Sequence, residues 1–265
     1  MDSRVKSLSA FVTDLQARGR YTFTLKDIQN LKGRNGLSNK IALQRLKQQG
    51  RIVSPRRGFF VIVPVEYRST GSPPITWFVD DLMRYLGQPY YVALLSAAAH
   101  HGAGHQQPMV FKVMTDRPIK PSKKGRMRIE FHGSGQIRKI PCVEVQTETG
   151  KMSISTPEAT AFDLVRYAAV SGGIGHVATV LSELGEVIDA QRLGKLCSLY
   201  ALPEVQRLGF ILERIGRKNL SDVLGKWFSR QRKRETPLVV EKSRGRAKAD
   251  SRWKVVPNEI LDLDI

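Results

Sequence analysis

Apolar residues recur on one side of the chain near its start. Leu8, Phe11, Val12 and Leu15 stand at i, i+3, i+4 and i+7 among polar neighbours, the stripe of an amphipathic helix, and Gly19 stops it. A short YTFT segment leads to Thr24 as an N-cap with Asp27 three residues on, while Leu25, Ile28 and Leu31 mark a short second helix ending near Gly33. RNGLSNKIALQRLKQQG predicts a third helix, capped by Ser38 or Asn39 and closed by Gly50, with Ala42, Leu43 and Leu46 inward. Lys40, Ile41, Gln44, Arg45 and Gln48 then face outward. After Gly50 the period changes to two in RIVSP and GFFVIVP, a hairpin with Pro55, Arg56, Arg57 and Gly58 at its tip. Three helices followed by such a hairpin are the order of a winged helix-turn-helix.

YRSTGSPPITW concentrates Ser, Thr, Gly and Pro, so the expected organisation is a winged helix over 1–66, a linker over 67–76 and a larger mixed α/β domain over 77–265. The fold class is α+β. In the larger part, Trp77 to Leu86 suits a helix closed by Gly87, and VALLSAAAHHG a second one ended by Gly102 and Gly104. MVFKVMTD, RMRIEFH and PCVEVQT alternate as strands of a small sheet. MSISTPEATAFDLVRY starts a helix with Ser155 or Thr156 as cap and Pro157 at its first position. Three more helical patterns follow in IGHVATVLSELGEVI, AQRLGKLCSLY and VQRLGFILERIG. Residues 230–254 read as an exposed basic loop or arm, and RWKVVPNEILDLDI as one more strand of the sheet.

Charge changes the picture most. The 265 residues hold 43 Lys and Arg against 24 Asp and Glu, a net +19, of which the first sixty carry +10. Such a field draws polyanions, nucleic acid first. On the third helix, Lys40, Gln44 and Arg45 supply donors able to read base edges, and Ser38, Asn39, Arg56 and Arg57 are placed to fix the phosphate register. Arg117, Lys120, Lys123, Lys124, Arg126 and Arg128 form a second basic patch. This patch is read with equal weight as solvated edge-strand charge or as additional phosphate contact by Lys120, Lys123, Lys124 and Arg126.

Candidate catalytic chemistry is thin. HHGAGHQQP puts His100, His101 and His105 close together, but glycines interrupt the helix and no third ligand follows nearby, so capping and packing is the favoured reading over a metal or acid-base role. Asp163 and Arg166 are expected to form an ion pair within the domain or to bond the strand region. Cys142 and Cys197 are isolated, and no GxGxxG, P-loop, GxSxG or zinc-ribbon spacing occurs. Neither cofactor nor metal is expected. The longest apolar run, near Val92 to Ala99, falls far short of a membrane span, and the chain is expected in the cytoplasm.

YTFTLKDIQ, ALQRLKQQGRIVSPRRGFFVIVPVEYR, the long string from PPITWFVDDLMRYLGQPYYV to GAGHQQPMVFKVMTDRPI, STPEATAFDLVRY and VQRLGFILE together resemble the AbiEi-type antitoxins of abortive-infection toxin-antitoxin systems. The resemblance covers most of residues 20–215. It implies a winged helix that binds inverted repeats in double-stranded DNA upstream of its own operon and represses it, and a larger domain that counteracts a nucleotidyltransferase-like toxin without a stable complex. With no catalytic spacing in the residues, no enzymatic activity is expected. The HGAGHQQP string matches a motif of that family, from which His100 departs, since an apolar residue commonly stands there. The competing expectation is a nucleic-acid-processing enzyme, or a non-specific nucleic-acid-binding module, with its site around the histidine cluster and the basic loop.

Overall fold

The computed structural model describes residues 7–29, 31, 36–104 and 108–261. α1 (Leu8–Ala17) is capped by the Ser7 hydroxyl, which accepts the Ala10 N–H at 3.0 Å. β1 (Thr22–Thr24) runs into α2 (Leu25–Gln29), where the Asp27 carboxylate accepts the Thr24 N–H at 2.6 Å and its hydroxyl at 2.7 Å. Burial pushes this carboxyl up, but the Thr24 bonds and Arg20 outweigh it and hold it below the ordinary aspartate range. α3 spans Gly36–Gln48, so Ser38 and Asn39 lie inside its first turns and do not cap it. β2 (Ile52–Arg56) and β3 (Phe59–Ile62) form the expected hairpin, and β1 completes a three-stranded antiparallel sheet ordered β1-β3-β2. Leu8, Val12, Ile28, Leu43, Leu46 and Phe60 share one apolar core, with Phe23 stacked on Phe60 at 5.0 Å.

α4 (Val79–Leu86) ends at Gly87, whose φ of +64° gives the left-handed C-cap that glycine adopts without strain. Then come β4 (Tyr90–Val92), α5 (Leu94–His100), β5 (Phe111–Thr115), β6 (Ser122–Lys124), β7 (Met127–Gly133), β8 (Cys142–Thr147) and β9 (Gly150–Ser155). They build a six-stranded mixed sheet in the order β6-β7-β5-β4-β9-β8. Sequence periodicity found β5, β7 and β8 and passed over the other three. β4 is only three residues and meets a helix at once, β6 reads Ser-Lys-Lys without an apolar position, and β9 runs straight into the Thr156 cap of the next helix, so its residues read as the lead-in to that helix.

The remaining chain is mostly helical: α6 (Pro157–Arg166), α7 (Gly173–Leu184), α8 (Ala190–Leu196), α9 (Leu202–Arg214) and α10 (Lys218–Phe228). Thr156 caps α6, its hydroxyl accepting the Ala159 N–H, and Pro157 opens it as expected. The basic segment after α10 is anchored: Leu238, Trp253, Val255 and Val256 are buried. Its ends meet as β10 (Thr236–Pro237) and β11 (Val255–Val256), a separate parallel pair. This corrects the expectation that the last run joins the larger sheet. Trp253 packs against α9 instead, where Gly209 leaves room for its ring.

The chain divides into two compact units. One comprises Met1–Tyr90, Met109–Gly135 and Glu144–Ser153, the other Tyr91–Pro108, Gln136–Val143 and Ile154–Ile265. The first is therefore discontinuous in sequence and extends well past residues 67–76. Among the described residues, no helix is long and apolar enough to cross a membrane.

Candidate nucleic-acid interface

Successive residues turn 100° about a helix, so the inward set of α3 fixes what its other side presents. Leu43 and Leu46 are buried, and Lys40, Ile41, Gln44, Arg45 and Gln48 are exposed, as the period predicts. Leu37, missed in the sequence reading, joins them at 67% exposed; its position one turn before Ile41 was the available signal. Asn39 goes the other way. It is 7% exposed, and its side-chain amide donates to the Ile28 carbonyl at 3.4 Å, which ties α3 to α2 and removes Asn39 from the open set. Ser38 is half-buried on the flank of the open face. Lys47 lies 5.2 Å over the Phe60 ring at the edge of the core. No Asp or Glu occurs between Ile28 and Val65, so this surface has no internal counter-charge.

The hairpin tip turns on Gly58 at φ +84°, where an added Cβ would come within 2.5 Å of the Tyr85 hydroxyl oxygen. That hydroxyl donates to the Arg57 carbonyl at 2.9 Å, which fixes the tip and leaves the Arg57 side chain exposed. Arg56 is committed elsewhere. Its guanidinium donates to the carbonyls of Lys120 and Pro121 and lies 5.2 Å from the Phe131 ring centre, and burial pushes its pKa down. Ser122 donates to the Pro55 carbonyl at 2.8 Å. These bonds place β6 alongside the hairpin, so two basic segments far apart in sequence form one surface within the first unit.

On that surface Lys120, Lys123, Lys124, Arg126 and Arg128 are all exposed. Lys123 and Arg128 are direct cross-strand partners in the antiparallel β6–β7 pair. Like charges opposite one another cost stability. Among the described residues, none of these five cations has an ion-pair partner. An arrangement that accumulates uncompensated positive charge in this way suits a phosphate backbone.

The second unit holds the residues that had invited catalytic readings. His101 follows the last turn of α5 as its C-cap, and its Nε2–H donates to the Ser155 carbonyl at 2.7 Å. His100 is exposed, with its pKa pushed down by the desolvation that remains and by His101. His105 lies outside the described residues. Among the described residues, no three His, Cys, Asp or Glu side chains gather as a metal site. Asp163 does not pair with Arg166, which bridges to Glu204 at 3.3 Å. It accepts instead from the Tyr91 hydroxyl at 2.9 Å and the Tyr200 hydroxyl at 3.2 Å, the first of these lying in the strand region. Full burial pushes its pKa up to about 7 against the lowering effect of both hydroxyls. The strand-to-helix turn where a hydrolase would place its nucleophile carries buried Leu94 at φ +53°.

Residues 91–214 match the family model described as AbiEi antitoxin C-terminal domain. Across nearly the whole length the fold is similar to that of the RV2827C protein from Mycobacterium tuberculosis, with a TM-score of 0.66 and 18% identity over 96% of this chain and 91% of that one. No curated protein matches in sequence.

Proposed function

We propose that this chain, which carries an AbiEi antitoxin C-terminal domain over residues 91–214, is the antitoxin of an abortive-infection toxin-antitoxin pair and represses its own operon by binding inverted-repeat DNA. In this reading, α1, α2, α3 and the β2–β3 hairpin make a winged helix-turn-helix with α3 entering the major groove. The observation that carries it is the open face of α3, cationic and amide-bearing, in a stretch without a single acidic residue between Ile28 and Val65. Lys40, Gln44 and Arg45 address base edges. Ser38 and Arg57 hold the phosphates beside them, and the β6–β7 surface of Lys120, Lys123, Lys124 and Arg126 extends the backbone contact past the wing. The reading gives Asn39 and Arg56 a positioning role, in place of the phosphate contact expected from the sequence, because both side chains are engaged within the fold.

The functional counterpart is a nucleotidyltransferase-like toxin, opposed without a lasting complex, and the chain works in the cytoplasm where its operator lies. No catalytic step is assigned to it. The test is a mobility-shift titration of the full chain on the duplex upstream of its gene and on a scrambled duplex of equal length. Preferential binding that weakens steeply with salt is expected. Equal affinity for both duplexes overturns the repressor role. Arg45→Ala is expected to cost about 1–3 kcal/mol of binding and to relax the preference at one base pair. Co-expression with the neighbouring reading frame tests the other half, with rescue from growth arrest as the expected result.

A further inference from the structure

The middle of the exposed face of α3 is apolar. Leu37 is 67% and Ile41 46% exposed, and the two stand one turn apart at the end of the helix that a helix-turn-helix turns toward the bases. Leaving two large aliphatic side chains in water forfeits burial energy, and nothing in the first unit covers them among the described residues. They open onto a groove of about 590 Å³ whose rim includes Ser38, Arg45, Gln49 and Arg51.

We propose that Leu37 and Ile41 are specificity-determining residues that read the 5-methyl groups of thymines in the major groove. The inference deepens the winged-helix reading and rests on it. Thymine is the one base that presents a methyl group on the major-groove edge, and an apolar side chain is its natural contact. The neighbours of the pair select DNA over a protein as the covering surface. Lys40 and Arg45 flank it, Gln44 and Gln48 continue the same stripe, and no acidic residue lies between Ile28 and Val65. A second copy of this face would bring cations against cations, whereas a duplex supplies phosphates for the flanks and methyl groups for the centre. Four residues of helix rise about 6 Å, so the two side chains reach methyls about two base-pair steps apart at 3.4 Å per step.

Replacing thymidine by deoxyuridine removes the methyl and leaves every hydrogen-bonding edge and phosphate in place. The experiment selects a duplex with the full chain from a random library, then compares the selected duplex with its fully uridine-substituted form at one salt concentration. Affinity is expected to fall about fourfold for each methyl that is read, since a methyl-sized group is worth about 0.8 kcal/mol. Leu37→Ala and Ile41→Ala chains are each expected to lose part of that difference. Both positions are exposed, so these variants fold. Native binding that is equal on the two forms overturns this inference alone and leaves the winged-helix reading standing. Such equality with a changed oligomeric state in the variants assigns the pair to a protein contact, against the inference. Failure to enrich any duplex overturns the winged-helix reading and this inference with it.

Discussion

Asp163 shows how much a single residue's partners decide. The sequence offered Arg166 three positions later, a spacing that suits a helical ion pair, yet in α6 that arginine turns to Glu204 and Asp163 points into the core toward two tyrosine hydroxyls. Nothing local could reveal this, because Tyr91 and Tyr200 lie 72 and 37 residues away. Asn39 differs from its expected place for a related reason: α3 begins at Gly36, three residues before a helix capped by Ser38 and four before one capped by Asn39, so Asn39 sits within the helix on its buried side. The consequence for Asp163 is a pH dependence. Its folded pKa of about 7 stands above the ordinary aspartate value, so folding favours the protonated form. That contribution is whole below about pH 4 and is lost as the pH rises through 7. Asp163→Asn, which cannot ionise, is expected to gain stability relative to the native chain across that interval, read as the difference in thermal midpoint at each pH. A difference independent of pH would show that the carboxyl ionises alike in both states.

At the scale of elements, the sequence was legible wherever one element carried its own period. α1, α3 and the β2–β3 hairpin follow from spacing and turn residues, whereas β6 and the anchoring of the C-terminal arm depend on partners elsewhere in the chain. β6 is held at Ser122 by Pro55, and the residues leading into it by Arg56, and not by apolar alternation, which is why Ser-Lys-Lys gives no strand signal. Its pairing with β7 yields a prediction in which stability and binding move oppositely. Lys123→Glu places an opposite charge across from Arg128 and is expected to stabilise the hairpin by a few tenths of a kcal/mol, up to about 1. The same change is expected to weaken duplex binding and to lower the salt slope by about 1. A variant both more stable and unchanged in binding would return β6–β7 to the role of solvated edge. α9 gives a second case. Gly209→Ala improves helix propensity by about 1 kcal/mol, but the new Cβ would meet the Trp253 ring at 2.2 Å. Overpacking costs about 1–3 kcal/mol. Trp253 is fully buried and its carbonyl already accepts from Gln206, so the ring has little room to retreat. Net destabilisation in urea is expected, and a raised midpoint would mean that the arm is not seated there.

For the whole chain, composition suggested a boundary near residue 70, and the compact unit that contains the winged-helix elements does not respect it. Within that unit Trp77 packs on Tyr21 at 4.9 Å and on Tyr67 at 5.4 Å, Asp81 accepts from Thr22, Tyr85 holds the Arg57 carbonyl, and β6 braces the hairpin. Turn-forming residues mark where a chain bends, which need not be where its packing ends, so Ser, Thr, Gly and Pro at 67–76 carried no information about these later partners. A fragment ending at residue 66 keeps three helices and the hairpin but strips Phe59 of its contact with Tyr85 and the wing of its brace. A domain of that length is already marginal, burying only about 60% of the surface its unfolded chain exposes. The fragment is therefore expected to melt well below the full chain by circular dichroism, and to bind duplex with a shallower salt dependence because Lys120, Lys123, Lys124 and Arg126 are gone. If it instead melts with the midpoint of the full chain and keeps the full salt slope, then the first sixty-six residues are a self-sufficient reader. The charges of β6 and β7 would in that case have to serve a partner other than the operator.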